Sequence, residues 1–267
     1  MKRFPKILPP EPPTEEQMKA ACRRWLEPLA PCLYPNWPEA LQKLSFPTTV
    51  FPLTRAEADV VLDMSDGKGS AGDVLDALIK RLNIAIGTFG TRHCFYRLGS
   101  RSPKDFWGRG GAVAARSGLD ILESLACSMR TTDDLCIWRY ADEPPHLLLR
   151  HFQYLPPADE FRCLIKGGRV RGVSQYLHDQ FFGEYEDAGH REDVRQQVLT
   201  YLDERVLPHL HVPDVVVDVC LMGRQVLLIE LNPYGQSDPC LFTYADLETA
   251  DRELRVATRN VVSVKGE

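Results

Sequence analysis

Two apolar runs joined by a short polar turn, Asp214 to Tyr234, constrain this chain more than any other segment. They read DVVVDVCLMGRQVLLIELNPY. Val215, Val216, Val217, Val219, Cys220 and Leu221 make the first run apolar on both faces. Val226, Leu227, Leu228, Ile229 and Leu231 do the same for the second. Strands of that kind are buried on both faces. Asp218 and Glu230 nevertheless interrupt them. A hairpin loop of Gly223-Arg224-Gln225 pairs Met222 with Val226, sets Asp218 directly opposite Glu230, and leaves Asn232 on the Glu230 face. Cross-strand partners have Cβ atoms about 5 Å apart. Two carboxylates that close in a low dielectric cannot both stay ionised without a cation. Oxygen-only ligands, two anionic and one an amide, suit Mg²⁺ better than zinc, and Mg²⁺ keeps open positions for phosphate oxygens. The alternative is an offset register that puts one acid at a strand end in water.

The chain has 267 residues, 44% hydrophobic and 26% charged, enough for one large domain or two small ones. A net charge of -5 argues against a general nucleic-acid surface, so no direct nucleic-acid binding is expected. No apolar run approaches the ~18 residues of a membrane span. The basic start, MKRFPKILPPEPP, has prolines where a signal peptide has its apolar region. The eight cysteines form no CxxC pair. These features predict a reduced, cytoplasmic protein without disulfides or structural zinc. His209 and His211 sit in a proline-flanked connection and read as solvated rather than ligating.

Along the chain, an extended proline-rich lead over 1–13 precedes a helix opened by Thr14 and Gln17. Strands are predicted at 48–53, 94–98, 134–140 and 146–155. Helices are predicted after Thr54, over 74–82, after Ser117, over 190–207 and from about Ala245. The segment 99–111 reads as polar and flexible, and Gly167-Gly168 marks a hairpin within 159–177. Helices first and antiparallel strands later indicate an α+β protein that holds its ligand between sheet layers.

A magnesium-bound phosphate needs cations around it. Arg97 ends a strand, and Arg101, Ser102 and Lys104 follow in a loop with Gly99 and Ser100 that could wrap phosphate or simply be solvated. Arg150 interrupts the apolar strand HLLLRHF, and Glu160 and Arg162 share one face of EFRC as a phosphate contact or a salt bridge. Leu147, Leu148, Leu149 and Phe152 are a purine slot or ordinary core. Ser174, Gln175 and Tyr176 mark a site entrance or a partner surface.

The ordered motifs CFYRLGSRSPKDFW, HLLLRHFQYLPPADEFRCLIKGGRVRGVSQ, VVVDVCLMGRQVLLIELNPYG and DPCLFTYADL resemble the cell division cycle 123 family from about Val50 to Leu247. The resemblance implies an ATP-grasp fold, in which two α+β lobes clamp ATP and Mg²⁺. The expected layout is a lead and helix over 1–47, an N-terminal lobe over 48–145 and a C-terminal lobe with the metal site over 146–267. The resemblance implies Arg97 and Lys104 near the phosphates, the Arg150 to Phe152 strand beside the adenine, Arg162 as another nucleotide contact, and Asp218, Glu230 and Asn232 at the metal; Ser102 of the basic loop and Ser174 at the hairpin end join the nucleotide set from their positions in the sequence. It assigns no catalytic residue. Eukaryotic members are assembly chaperones for the trimeric translation initiation factor that delivers initiator tRNA, which makes a subunit of that factor the expected protein partner. This chain departs from the family pattern. Arg97 stands for a lysine, Ser100 for a tryptophan, Glu230 for an aspartate, and SQYL (174–177) for SQRD. The other activity left open is an ATP-grasp ligase or phosphotransferase that activates a carboxylate as an acyl phosphate.

Overall fold

The computed structural model describes residues 12–68, 72–90, 93–108 and 113–259. Most of the proline-rich lead and the end of the 99–111 segment lie outside the described residues. Thr14 and Gln17 form a reciprocal capping box that opens α1 (Glu15–Leu26). A short α2 (Glu39–Gln42) leads to β1 (Thr48–Pro52). The Thr54–Glu57 box then opens α3 (Arg55–Ser65), followed by α4 (Asp73–Gly87) and β2 (Cys94–Leu98). One turn of helix, α5 (Lys104–Trp107), interrupts the segment read as flexible. After β3 (Ala114–Ala115), Ser117 and Asp120 cap α6 (Gly118–Ala126).

The run 134–140, read as a strand, is instead part of α7 (Met129–Ala141). Ser128 accepts from the Thr131 N–H and starts it, and Thr131, Asp134, Leu135, Trp138 and Ala141 are its buried residues. That spacing is helical, and it packs the polar Asp134 inward as firmly as the apolar groups. The strands β4 (His146–His151), β5 (Glu160–Lys166) and β6 (Arg169–Gln175) follow. Gly167 and Gly168, both at positive φ, make the turn between the last two. Then come α8 (Ala188–Tyr201), β7 (Val215–Met222), β8 (Gln225–Pro233) and β9 (Glu253–Arg255). The helix expected from about Ala245 is only the short 3₁₀ turn Asp246–Glu248, because the chain returns as β9 to pair with β6.

Two sheets result, ordered β1-β4-β2-β3 and β8-β7-β5-β6-β9. All pairings between the described strands are antiparallel except β6 with β9, so the expected α+β class with antiparallel sheets holds. β4 lies between β1 and β2. The first sheet therefore runs past residue 145, where the sequence suggested a lobe boundary. One apolar cluster joins both sheets to the helices. It takes Phe161, Cys163 and Ile165 from β5 and Val215, Val217, Val219 and Leu221 from β7. The alternate residues of those strands face the other way. There Leu164 and Val216 pack under Phe242 and Leu247 in a second, small cluster.

The β7–β8 ribbon sets Asp218 opposite Glu230 as predicted, by a different route. The turn is two residues, Gly223-Arg224, so Met222 pairs with Gln225 rather than Val226. Val219 then pairs with Leu228 while Asp218 pairs with Glu230, so Ile229 is an extra residue at a β-bulge. The bulge changes the phase of β8. Leu228 and Leu231 face the main core, and Glu230 faces away from it.

Phe242 depends on a missing side chain. A Cβ on Gly172 of β6 would meet its ring at 2.6 Å. Gly172→Ala is expected to cost about 1–3 kcal/mol through overpacking. Urea unfolding checks this, and an unchanged midpoint would show that the ring simply moves aside.

Candidate functional site

The face of the second sheet that turns from the main core carries a row of polar side chains. Ser174 pairs with Arg162, Arg162 with Asp218, and Asp218 with Glu230, so the four stand abreast across β6, β5, β7 and β8. Arg162 grips Asp218 in a fork, Nε to Oδ1 and Nη2 to Oδ2, each 2.8 Å. Its Nη1 donates to the Asp238 carbonyl at 2.8 Å. Asn232 Nδ2 donates to Asp218 Oδ2 at 3.1 Å. Asp218 is 1% exposed, and these bonds engage both its oxygens. Burial works to lower the Arg162 guanidinium, but the Asp218 charge and hydrogen bonds outweigh it and hold the pKa above the ordinary arginine range.

The second acid is met from the other sheet. Arg97 on β2 forms an ion pair with Glu230. Its Nε and Nη2 donate to the carbonyls of Leu98 (3.2 Å) and Ser100 (3.0 Å). Burial lowers Arg97 to about 10, so it remains a cation at neutral pH. Each carboxylate of the cross-strand pair therefore has its own guanidinium. Among the described residues, no three His, Cys, Asp or Glu side chains cluster as a metal site.

Between the sheets lies a cleft of about 740 Å³. Arg97, Ser102, Lys104, Arg162, Glu230 and Asn232 line it, so six of the predicted residues converge. Asp218 lies beneath them. Ser174 is fully buried behind Arg162, where its hydroxyl accepts from the Leu241 N–H at 3.1 Å and so anchors the 238–241 segment. Arg150 is also buried and lies outside the cleft. Its guanidinium bonds Thr48 Oγ1 at 2.9 Å and the Ile229 carbonyl at 3.1 Å, with the rings of Tyr34 and Phe46 beside it. Phe152 follows β4, half-buried and also outside the cleft.

Sequence reasoning missed several residues that shape this cleft. Asp134 on α7 is fully buried, accepts from Ser100 Oγ at 2.5 Å, and holds Arg101 in an ion pair. It fastens the loop after β2. Arg130 lines the cleft, and its Nε donates to the Ser102 carbonyl at 3.3 Å. Trp25 reaches the same wall from α1, beneath the Arg101 guanidinium. The Ser128 cap was the available signal for the first two, since it begins the helix that carries them. Gln175, expected at a site entrance or a partner surface, is fully buried and donates to the carbonyls of Leu177 (2.5 Å) and Gln180 (2.7 Å), which shapes the cleft-lining turn 177–179.

The D123 family model matches residues 73–265. The translation initiation factor eIF2 assembly protein of Candida albicans is 27% identical over 191 residues, covering 66% of this chain and 52% of that protein. The chain thus spans about half the length of that relative. The protein of the same description from Xenopus tropicalis is 26% identical over 265 residues, covering 81% of this chain and 77% of that protein. The structure of Cdc123 from Schizosaccharomyces pombe superposes with a TM-score of 0.74 at 21% identity, over 87% of this chain and 98% of that chain. This likeness establishes the fold.

Two predictions follow from the charges. Asp218→Asn leaves Arg162 buried against a neutral partner and is expected to cost about 3–5 kcal/mol in chemical unfolding. Restoration of most of that loss in Arg162→Met/Asp218→Leu would show that the pair is neutralised rather than intrinsically stabilising. Glu160, on the Arg162 face of β5, is pushed up to about 7, first by burial and then by the Asp218 charge. The fold thus prefers Glu160 protonated, and its contribution to stability falls as pH rises from 4.5 to about 7. Glu160→Gln is expected to remove that decline and raise stability at pH 8. Identical pH profiles for both proteins would refute the assignment.

Proposed function

This chain belongs to the D123 family, and from that membership and the geometry of its cleft we propose that it binds Mg-ATP between its two sheets and acts as an ATP-dependent assembly factor in the cytoplasm. The partner that fits the named relatives is a subunit of translation initiation factor eIF2. One observation carries the nucleotide reading. Among the described residues, Lys104 and Arg130 line the cleft with no carboxylate ion-pair partner, and the side-chain carboxylates of Asp179 and Asp238 line it with no cationic ion-pair partner. A simple anion would suit the cations and repel the acids. A magnesium polyphosphate presents both signs and suits both. No described helix is long and apolar enough to cross a membrane.

The donor set fits a hard cation at the cleft wall. Glu230 offers a carboxylate, and Asn232, whose nitrogen is spent on Asp218, has its amide oxygen left to ligate. Asp218 keeps that amide oriented rather than ligating from beneath. When bound, Mg²⁺ neutralises phosphate oxygens. Arg97, Ser102 and Lys104 provide phosphate contacts, and Arg162 backs them. Arg150 and Phe152 lie outside the cleft lining and contribute no phosphate contact.

Glu230→Gln is expected to bind ATP with little response to Mg²⁺, read by calorimetry with and without the metal. Undiminished Mg²⁺ dependence would move the metal elsewhere. Arg97→Ala should weaken ATP more than adenosine, by about 1–3 kcal/mol for a lost charge-assisted hydrogen bond. Pull-down with a purified eIF2 subunit, with and without ATP, tests the assembly role. Sustained ADP release with candidate carboxylate acceptors and no protein partner would favour the ligase activity instead.

A further inference from the structure

Among the described residues, the two sheets and the segments that follow them are tied across the cleft region at three places. Arg150 reaches the Ile229 carbonyl, and Arg97 reaches Glu230. Both of these arginines are buried. The third tie lies at the exposed mouth, where Lys104 Nζ donates to the Tyr176 hydroxyl. Lys104 belongs to α5, which follows the first sheet's β2, and Tyr176 follows β6 of the second sheet.

Tyr176 is anchored at the cleft mouth through its backbone. Its N–H donates to the Glu160 carbonyl at 2.9 Å, and its carbonyl accepts from the His178 N–H at 2.9 Å. Its ring meets two cations, with Lys104 Nζ at 4.6 Å and Arg162 Cζ at 4.9 Å from the centroid. An aromatic face attracts cations, so the ring lets an ammonium and a guanidinium approach one spot despite their mutual repulsion. The hydroxyl has a second property. A phenol oxygen that accepts from an ammonium still has its own hydrogen to give. No described residue takes it.

We propose that Tyr176 is a ligand-contacting residue, whose hydroxyl hydrogen, oriented by Lys104, is donated to a phosphate oxygen of the bound polyphosphate. The proposal rests on the nucleotide reading above and adds a neutral donor to its cations. It also assigns the ring a separate duty, which is to gather Lys104 and Arg162 at one place. The two duties separate on substitution. Tyr176→Phe keeps the ring and removes the donor. Tyr176→Leu removes both.

The test is calorimetry of wild type, Tyr176→Phe and Tyr176→Leu with adenosine, AMP, ADP and ATP, each with Mg²⁺, and with inorganic tripolyphosphate. Thermal unfolding of each variant confirms that it is folded. Tyr176→Phe is expected to weaken ATP and tripolyphosphate about tenfold, the scale of one hydrogen bond to a charged group, and to leave adenosine unchanged. Tyr176→Leu should lose several-fold more. Unchanged ATP and tripolyphosphate binding in Tyr176→Phe overturns the proposal, as does an equal loss for adenosine. Wild type that binds tripolyphosphate but not ATP overturns the nucleotide reading and leaves the Tyr176 contact to be judged on tripolyphosphate alone. Wild type that binds neither overturns both.

Discussion

Two carboxylates placed directly opposite each other in a buried ribbon set the terms for the rest of this protein. Asp218 and Glu230 are cross-strand partners, and their mutual repulsion in a low dielectric must be met by positive charge. The protein supplies it from two directions. Arg162, beside Asp218 in the same sheet, grips it with both arms of its guanidinium. Arg97 crosses from the other sheet to Glu230. The second pairing ties the acid pair to the packing of the two sheets against each other. Neither guanidinium could be replaced by a lysine point charge without loss, because both arginines use their remaining donors on backbone carbonyls.

The same row explains how a cleft can stay open and polar between two apolar layers. β5 and β7 send their alternate side chains into the main core, which leaves the row on the opposite face. The bulge at Ile229 lets β8 follow this pattern. Without the extra residue, Glu230 would share a face with Leu228, deep in the core. On the first-sheet side, the loop after β2 is pinned by the buried Asp134, which draws Ser100 and Arg101 back toward α7. Lys104 and Arg130 are left facing the cleft without carboxylate partners among the described residues.

The errors of sequence reading have specific causes. The apolar and aromatic residues of 134–140 suit a strand, but the Ser128 cap and the helical spacing of Thr131, Asp134 and Trp138 prevail. A strand over 134–140 gives no reason to place Asp134 in the core, whereas the helix packs it inward. The register of the ribbon was right at Asp218 and Glu230 and wrong at its turn, because a two-residue turn and a bulge together give the same offset as a longer loop. Arg150 and Ser174, expected toward the nucleotide, are both buried in this structure, where Arg150 donates to the Ile229 carbonyl and Ser174 accepts from the Leu241 N–H.

Local sequence was sufficient for whatever depends on neighbours along the chain. The caps at Thr14, Thr54 and Ser117, the Gly167-Gly168 turn and the presence of two acids on one ribbon all follow from short-range spacing. So does the motif order that pointed to the family. Tertiary structure alone decided which cations meet those acids, that Arg130 and Trp25 reach the same cleft as Lys104, and that Asp218 lies beneath its surface. Such pairings join residues far apart in sequence. Periodicity shows which face a side chain takes within its own element, but only packing decides what faces it from another.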